Sequence, residues 1–160
     1  MASAFAGISG DTVNATYYYP DSSSLYQDLG TQVISGLGNT YNFDGYFDLL
    51  VTDTQIIAKN FIFASYWSPS DFNGFKVTDL TKNFSSIYQV DSATTMAGLT
   101  NANLSTAGNS FSVNWQGLSF NQDTQVVLNA VSAVPEPETY GMMLAGLGLM
   151  GFMVRRRAAS

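Results

Sequence analysis

The stretch Thr12-Val13-Asn14-Ala15-Thr16-Tyr17-Tyr18-Tyr19 sets Val13, Ala15, Tyr17 and Tyr19 against Thr12, Asn14, Thr16 and Tyr18 in strict alternation. A repeat of two belongs to a pleated strand with one face on a core, whereas an amphipathic helix repeats every 3.6 residues. Pro20-Asp21 ends the run, because proline brings no backbone N–H to a sheet ladder.

The same period recurs along the body. Residues 22–24 read as loop, residues 25–29 fit no one element, and residues 31–35 read as a short strand before Gly36-Leu37-Gly38-Asn39 breaks the chain. Asp44-Gly45 is a hairpin-type turn signal, and residues 46–51 and 55–64 read as two strands about Thr52-Asp53-Thr54. Asn73-Gly74 predicts a two-residue turn joining Tyr66-Trp67 to Phe75-Lys76-Val77 in a hairpin. Further strands are expected over residues 86–91, 103–106 and 124–131. Phe111, Val113 and Trp115 alternate until Gly117 shifts the phase to Leu118 and Phe120, which predicts a bulge or bend. Roughly eight to ten short strands with regular turns argue for an all-β, antiparallel β-sandwich. A jelly-roll-like arrangement is preferred to an immunoglobulin-like one, since no Cys-Trp-Cys pattern is present.

The end of the chain follows different rules. Pro135 and Pro137 make residues 134–138 a stiff extended peptide that another protein can grip. From Tyr140 to Val154 no residue is charged, and Arg155-Arg156-Arg157 follow directly. Fifteen helical residues span only about 22 Å against a hydrocarbon core of roughly 30 Å. The arginine cluster nevertheless reads as a positive-inside stop, with side chains long enough to snorkel to headgroups. A short C-terminal transmembrane helix is therefore expected, arginines in the cytoplasm and body outside. Gly141, Ala145 and Gly148 form a small-residue stripe on which a second helix could pack.

Residues 134–149, with Arg155 to Arg157, resemble the PEP-CTERM sorting signal of exported bacterial proteins. The resemblance is confined to residues 134–160, and Glu138 departs from the Ser or Ala usual at its position. It implies that Pro135, Glu136 and Pro137 are the recognition peptide for an exosortase, a membrane processing enzyme. It further implies that the apolar run is a transient inner-membrane anchor, that Arg155, Arg156 and Arg157 stop transfer, and that the product goes to the cell surface or matrix of a cell whose genome usually also encodes exopolysaccharide export. Residues 1–10 read as the remnant of a signal-peptide cleavage region or as a flexible terminus, and residues 11–133 as the sandwich.

Composition narrows what the body can do. The chain has 160 residues, no cysteine and no histidine, and a net charge of −6. Its body carries ten aspartates and three lysines, which disfavours nucleic acid as a partner. Without histidine or cysteine there is no serine triad, thiol nucleophile or thiolate metal site. No glycine-rich phosphate loop occurs, and no pair of carboxylates is placed for glycoside hydrolysis. The expectation is a non-enzymatic body without a cofactor. Asp44, Asp48 and Asp53 could hold Ca²⁺ near a turn, but their spacing fits no calcium loop and solvated turn aspartates are preferred. Tyr66 and Trp67, before Ser68-Pro69-Ser70, could form an aromatic platform for sugar rings, with burial as the competing reading. The runner-up function is accordingly a carbohydrate-binding module acting on exopolysaccharide.

Overall fold

The computed structural model describes residues 7–84, 86–132 and 137–158. Expectations for residues 1–6 and for Pro135 and Glu136 lie outside the described residues. The first half of the body holds β1 (Thr12–Tyr18), β2 (Leu25–Val33), β3 (Asn39–Phe43), β4 (Phe47–Val51), β5 (Gln55–Lys59) and β6 (Ser65–Tyr66). The second holds β7 (Gly74–Asp79), β8 (Ser86–Val90), β9 (Leu104–Ala107), β10 (Ser110–Asn114), β11 (Ser119–Phe120) and β12 (Val126–Ser132). An α-helix, α1 (Pro137–Ala158), follows.

The strands form one five-stranded sheet in the order β2-β1-β7-β10-β9 and another in the order β3-β4-β5-β12-β8, with β11-β6 as a small ladder beside them. Every strand pairing described is antiparallel. Alternation decides which residues face inward: Val13, Ala15 and Tyr17 of β1 join Phe75, Val77, Phe111 and Val113 on one inner face. Phe47, Leu49, Val51, Ile56, Ala58 and Leu128 supply the other. These residues belong to one apolar cluster, as two packed sheets require. Tyr17 stacks on Phe43 at 4.4 Å, Tyr88 meets Phe111 at 4.6 Å, and the Tyr41 hydroxyl donates to Val13 O at 2.7 Å, each joining the two layers.

Strand β2 is an edge strand, and its lack of clean alternation has a structural cause. Its register against β1 skips Leu29 between the Ala15–Gly30 and Thr16–Asp28 pairs, and skips Tyr26 between Tyr17–Gln27 and Tyr18–Leu25. Two bulges therefore shift the phase twice within nine residues. Asn14 Nδ2 fixes the first by donating to Asp28 Oδ1 at 2.9 Å and Gly30 O at 3.0 Å.

Three expectations need correction. Asn73-Gly74 is not a hairpin turn: Gly74 opens β7, which pairs with β1 and β10, while β6 pairs with β11. Gly74 lies so close to Val113 of β10 that a Cβ would collide with its carbonyl, so glycine serves close approach there rather than a left-handed turn. The strand expected over 55–64 stops at Lys59, where Asn60 takes φ 59°. Strand β3 was hidden by Gly36 to Asn39, although Asp44-Gly45 does form the β3–β4 turn, with φ values of 43° and 77°.

Candidate functional site

One end of the sandwich is built from aromatic rings. The C-terminal end of β1, the β3–β4 turn, the bulge at Tyr26 and the connection from Asn60 to Asn73 converge there on an open cleft of ≈ 260 Å³. Tyr19, Tyr26, Tyr46, Phe63 and Tyr66 expose part of their rings at its walls. Tyr17, Phe43, Trp67 and Phe120 lie deeper, and Ser65, Ser68 and Asn73 complete the lining. No lining residue carries a charge. At the mouth Tyr19 and Tyr26 meet edge to face at 81°, and Tyr46 and Phe63 at 74°, while the deeper Tyr17–Phe43 and Trp67–Phe120 pairs stack. The exposed rings at the mouth are therefore crossed rather than parallel.

The cleft is held by a buried polar relay. Trp115 Nε1 donates to the Tyr17 hydroxyl at 2.8 Å, the hydroxyl donates to Asn73 Oδ1 at 2.7 Å, and Asn73 Nδ2 donates to Ser68 O at 3.1 Å. Asn73 N in turn donates to Asn114 Oδ1 at 3.1 Å, and Phe72 N to Pro20 O at 3.0 Å. The connection forming one wall is thus tied to β1 and β10. Burial drives the Tyr17 phenol well above its ordinary pKa, so it remains a neutral donor and acceptor at any physiological pH.

Tyr66 and Trp67 play different parts in the site. Tyr66 is 62 % exposed. Trp67 is 8 % exposed, stacked on Trp115 at 5.0 Å and on Phe120 at 4.6 Å, so it presents an edge. Its backbone is fixed where β6 meets β11: Trp67 N donates to Leu118 O at 2.9 Å and Gly117 N to Trp67 O at 2.7 Å. Trp67 Nε1 is buried and has no hydrogen-bond partner among the described residues.

The three aspartates are not brought together. Asp44 sits in the β3–β4 turn and accepts from Gln27 Nε2 at 2.9 Å, while Asp48 accepts from Asn60 Nδ2 at 2.8 Å and Asn42 Nδ2 at 2.7 Å. Those two bonds hold the Asp48 carboxyl below its ordinary pKa. Asp53 lies beyond the opposite end of β4 and accepts from Ser9 N at 2.8 Å. Among the described residues no group of three or more acidic, histidine or cysteine side chains could hold a metal ion.

A second acidic spot, not anticipated from sequence, lies at the other end of β7. Asp79 is fully buried; its Oδ1 accepts from Thr81 N at 2.8 Å and Lys82 N at 3.2 Å. Asp11 stands beside it, paired to Lys82 Nζ at 2.9 Å. Burial first, and the neighbouring Asp11, raise the Asp79 pKa despite those backbone donors.

In the tail α1 corrects the expected boundary: it begins at Pro137, whose missing N–H suits a first helical residue, so residues 137–138 are helical rather than extended, and it runs past Val154 to Ala158 with Arg155, Arg156 and Arg157 in its last turn, where cations favour the helix dipole. From Gly141 to Ala158 the helix is exposed along its whole length, with Leu144, Leu147, Leu149, Phe152 and Val154 open to solvent. A Cβ at Gly141 or Gly148 would meet nothing within 4 Å. Among the described residues no helix is long and apolar enough to cross a membrane, so the expected transmembrane span is unconfirmed; the uncharged run ends at Arg155.

Comparison with known families places the PEP-CTERM protein-sorting motif at residues 133–157. The motif marks an exported precursor with an exosortase-type sorting signal, processed by a membrane enzyme. Neither a curated protein nor a solved structure matches the chain.

Proposed function

We propose that this chain is an exported surface or matrix protein whose non-enzymatic, jelly-roll-like sandwich is delivered by residues 134–160 and released or retained by cleavage near Pro135, Glu136 and Pro137. The carrying observation is the sorting motif at residues 133–157, together with an apolar helix left exposed beyond the sandwich. An apolar surface of this extent needs a lipid or protein partner. In this reading α1 enters the inner membrane as a transient anchor. Arg155, Arg156 and Arg157 snorkel to the cytoplasmic headgroups and make up for a short apolar run. Gly141, Ala145 and Gly148 offer a second helix, such as one of the processing enzyme, a close approach. The test is protease treatment of spheroplasts from a host blocked in processing: the body is digested from outside while an epitope after Arg157 is protected. A chain found wholly in the soluble cytosolic fraction refutes it.

A second reading, a carbohydrate-binding module for exopolysaccharide, is favoured by the aromatic cleft. The pairing of β12 with β5 puts Val126 beside Ala58 at the cleft end and carries Ser132 beyond Gln55 at the other end. Seven residues of strand cover roughly 23 Å. The last described residue of the body thus lies at the end opposite the cleft.

A further inference from the structure

The aromatic cleft is a feature of the sandwich that packing alone does not explain. Five partly exposed rings gathered at one mouth give up burial that an ordinary core would take, and such a concentration of apolar surface marks a binding face. The bulge at Tyr26 adds to this, since an extra residue in an edge strand re-aims a side chain, here towards Tyr17, Tyr19 and Phe43. Trp67, more than nine-tenths buried, lines the cleft, and its Nε1 has no hydrogen-bond partner among the described residues. Its tryptophan neighbour shows the usual remedy, with Trp115 Nε1 satisfied by Tyr17 at 2.8 Å.

These features define a ligand. It needs an apolar face to lie against tyrosine rings, an oxygen to accept from an indole N–H, and further hydroxyls for the phenols and for Ser65 and Ser68. It needs no formal charge, because the lining has none and Asp44 at the adjoining turn would repel an anion. A volume of ≈ 260 Å³ falls just below the range of about 300–1,000 Å³ that takes a drug-sized molecule, so the cleft admits a ring and not an extended segment. Proline-rich peptides lie across parallel aromatic ridges, and the crossed rings here do not supply them.

We propose that the cleft binds one neutral sugar ring of a glycan, its C–H face against Tyr66 and Tyr26 and one of its oxygens accepting from Trp67 Nε1. The exposed rings at the mouth turn aside to admit it, a side-chain change common at binding surfaces. This assignment rests on the second reading above and gives it a site.

The test uses the full chain in detergent micelles, ¹⁵N-labelled, and follows its two tryptophan indole resonances. Neutral oligosaccharides, an acidic oligosaccharide and a proline-rich peptide are titrated in turn. The expected result is a shift of the Trp67 resonance with a neutral oligosaccharide, the Trp115 resonance moving less because Tyr17 already holds it. Trp67→Phe, which keeps the stacking and removes the donor, and Tyr66→Ala, at an exposed position, each weaken binding about tenfold with the fold intact by circular dichroism. Sugar binding that leaves the Trp67 indole unmoved overturns the site while sparing the module reading; no response to any sugar overturns both. A response to the peptide alone makes the cleft a peptide groove and refutes the proposal.

Discussion

The Tyr17 hydroxyl accepts from Trp115 and donates to Asn73, so deleting one oxygen leaves a buried donor and a buried acceptor without partners. Tyr17→Phe is expected to cost about 1–3 kcal/mol, read as a lower urea midpoint with an unchanged slope. Asp79 gives a pH signature. Its folded-state pKa lies above the unfolded value, so its contribution to stability is full below the ordinary carboxylate pKa of about 3.9 and is lost as pH rises through the raised value. Asp79→Asn keeps an acceptor for Thr81 N and Lys82 N and removes the buried charge facing Asp11. Thermal melts of this variant should therefore show a higher Tm than the parent at pH 7 and little difference at low pH. A variant less stable at pH 7 than the parent would contradict that sign. Asp48 runs the other way: its lowered pKa stabilises above the carboxylate range and is lost on acidification.

Among the elements, glycines at two β-strand boundaries act for different reasons, and substitution separates them. Gly45 needs only φ 77° and has open space around it, so Gly45→Asn should cost under about 1 kcal/mol, since asparagine tolerates that backbone. Gly74 sits against the Val113 carbonyl, so Gly74→Asn should cost about 1–3 kcal/mol or more and loosen the β7–β10 pairing, seen as faster amide exchange in both strands. The pair also shows what could be read in advance. Asp44-Gly45 and Asn73-Gly74 carry the same local signal, but only the first is a turn, because close approach to β10 is a property of tertiary packing. Strands with clean alternation, such as those holding Val13 and Phe111, were legible for the opposite reason: one buried face writes itself into every second residue. Strand β2 was opaque since its two bulges reset that phase, and β3 since its glycines precede it. The cleft was partly legible in Tyr66-Trp67, but Tyr19, Tyr26, Tyr46 and Phe63 come from four separate segments that only the folded sheets bring together.

At the scale of the whole molecule, the two ends of one sandwich differ. In the proposed reading the aromatic end recognises a sugar, and the body ends where β12 finishes, before the sorting motif at residues 133–157. The tail was the most legible part of the chain, because the motif at residues 133–157 is written in consecutive residues and needs no tertiary structure to be recognised. Its most direct test is mass spectrometry of the mature protein recovered from the surface or medium of its native host, with Pro135→Ala/Pro137→Ala as the comparison. The account predicts a C-terminus near residues 135–137, with Gly141 to Arg157 missing, and accumulation of the uncut precursor in the membrane for the variant. An exported chain still ending at Ser160 in both would contradict it.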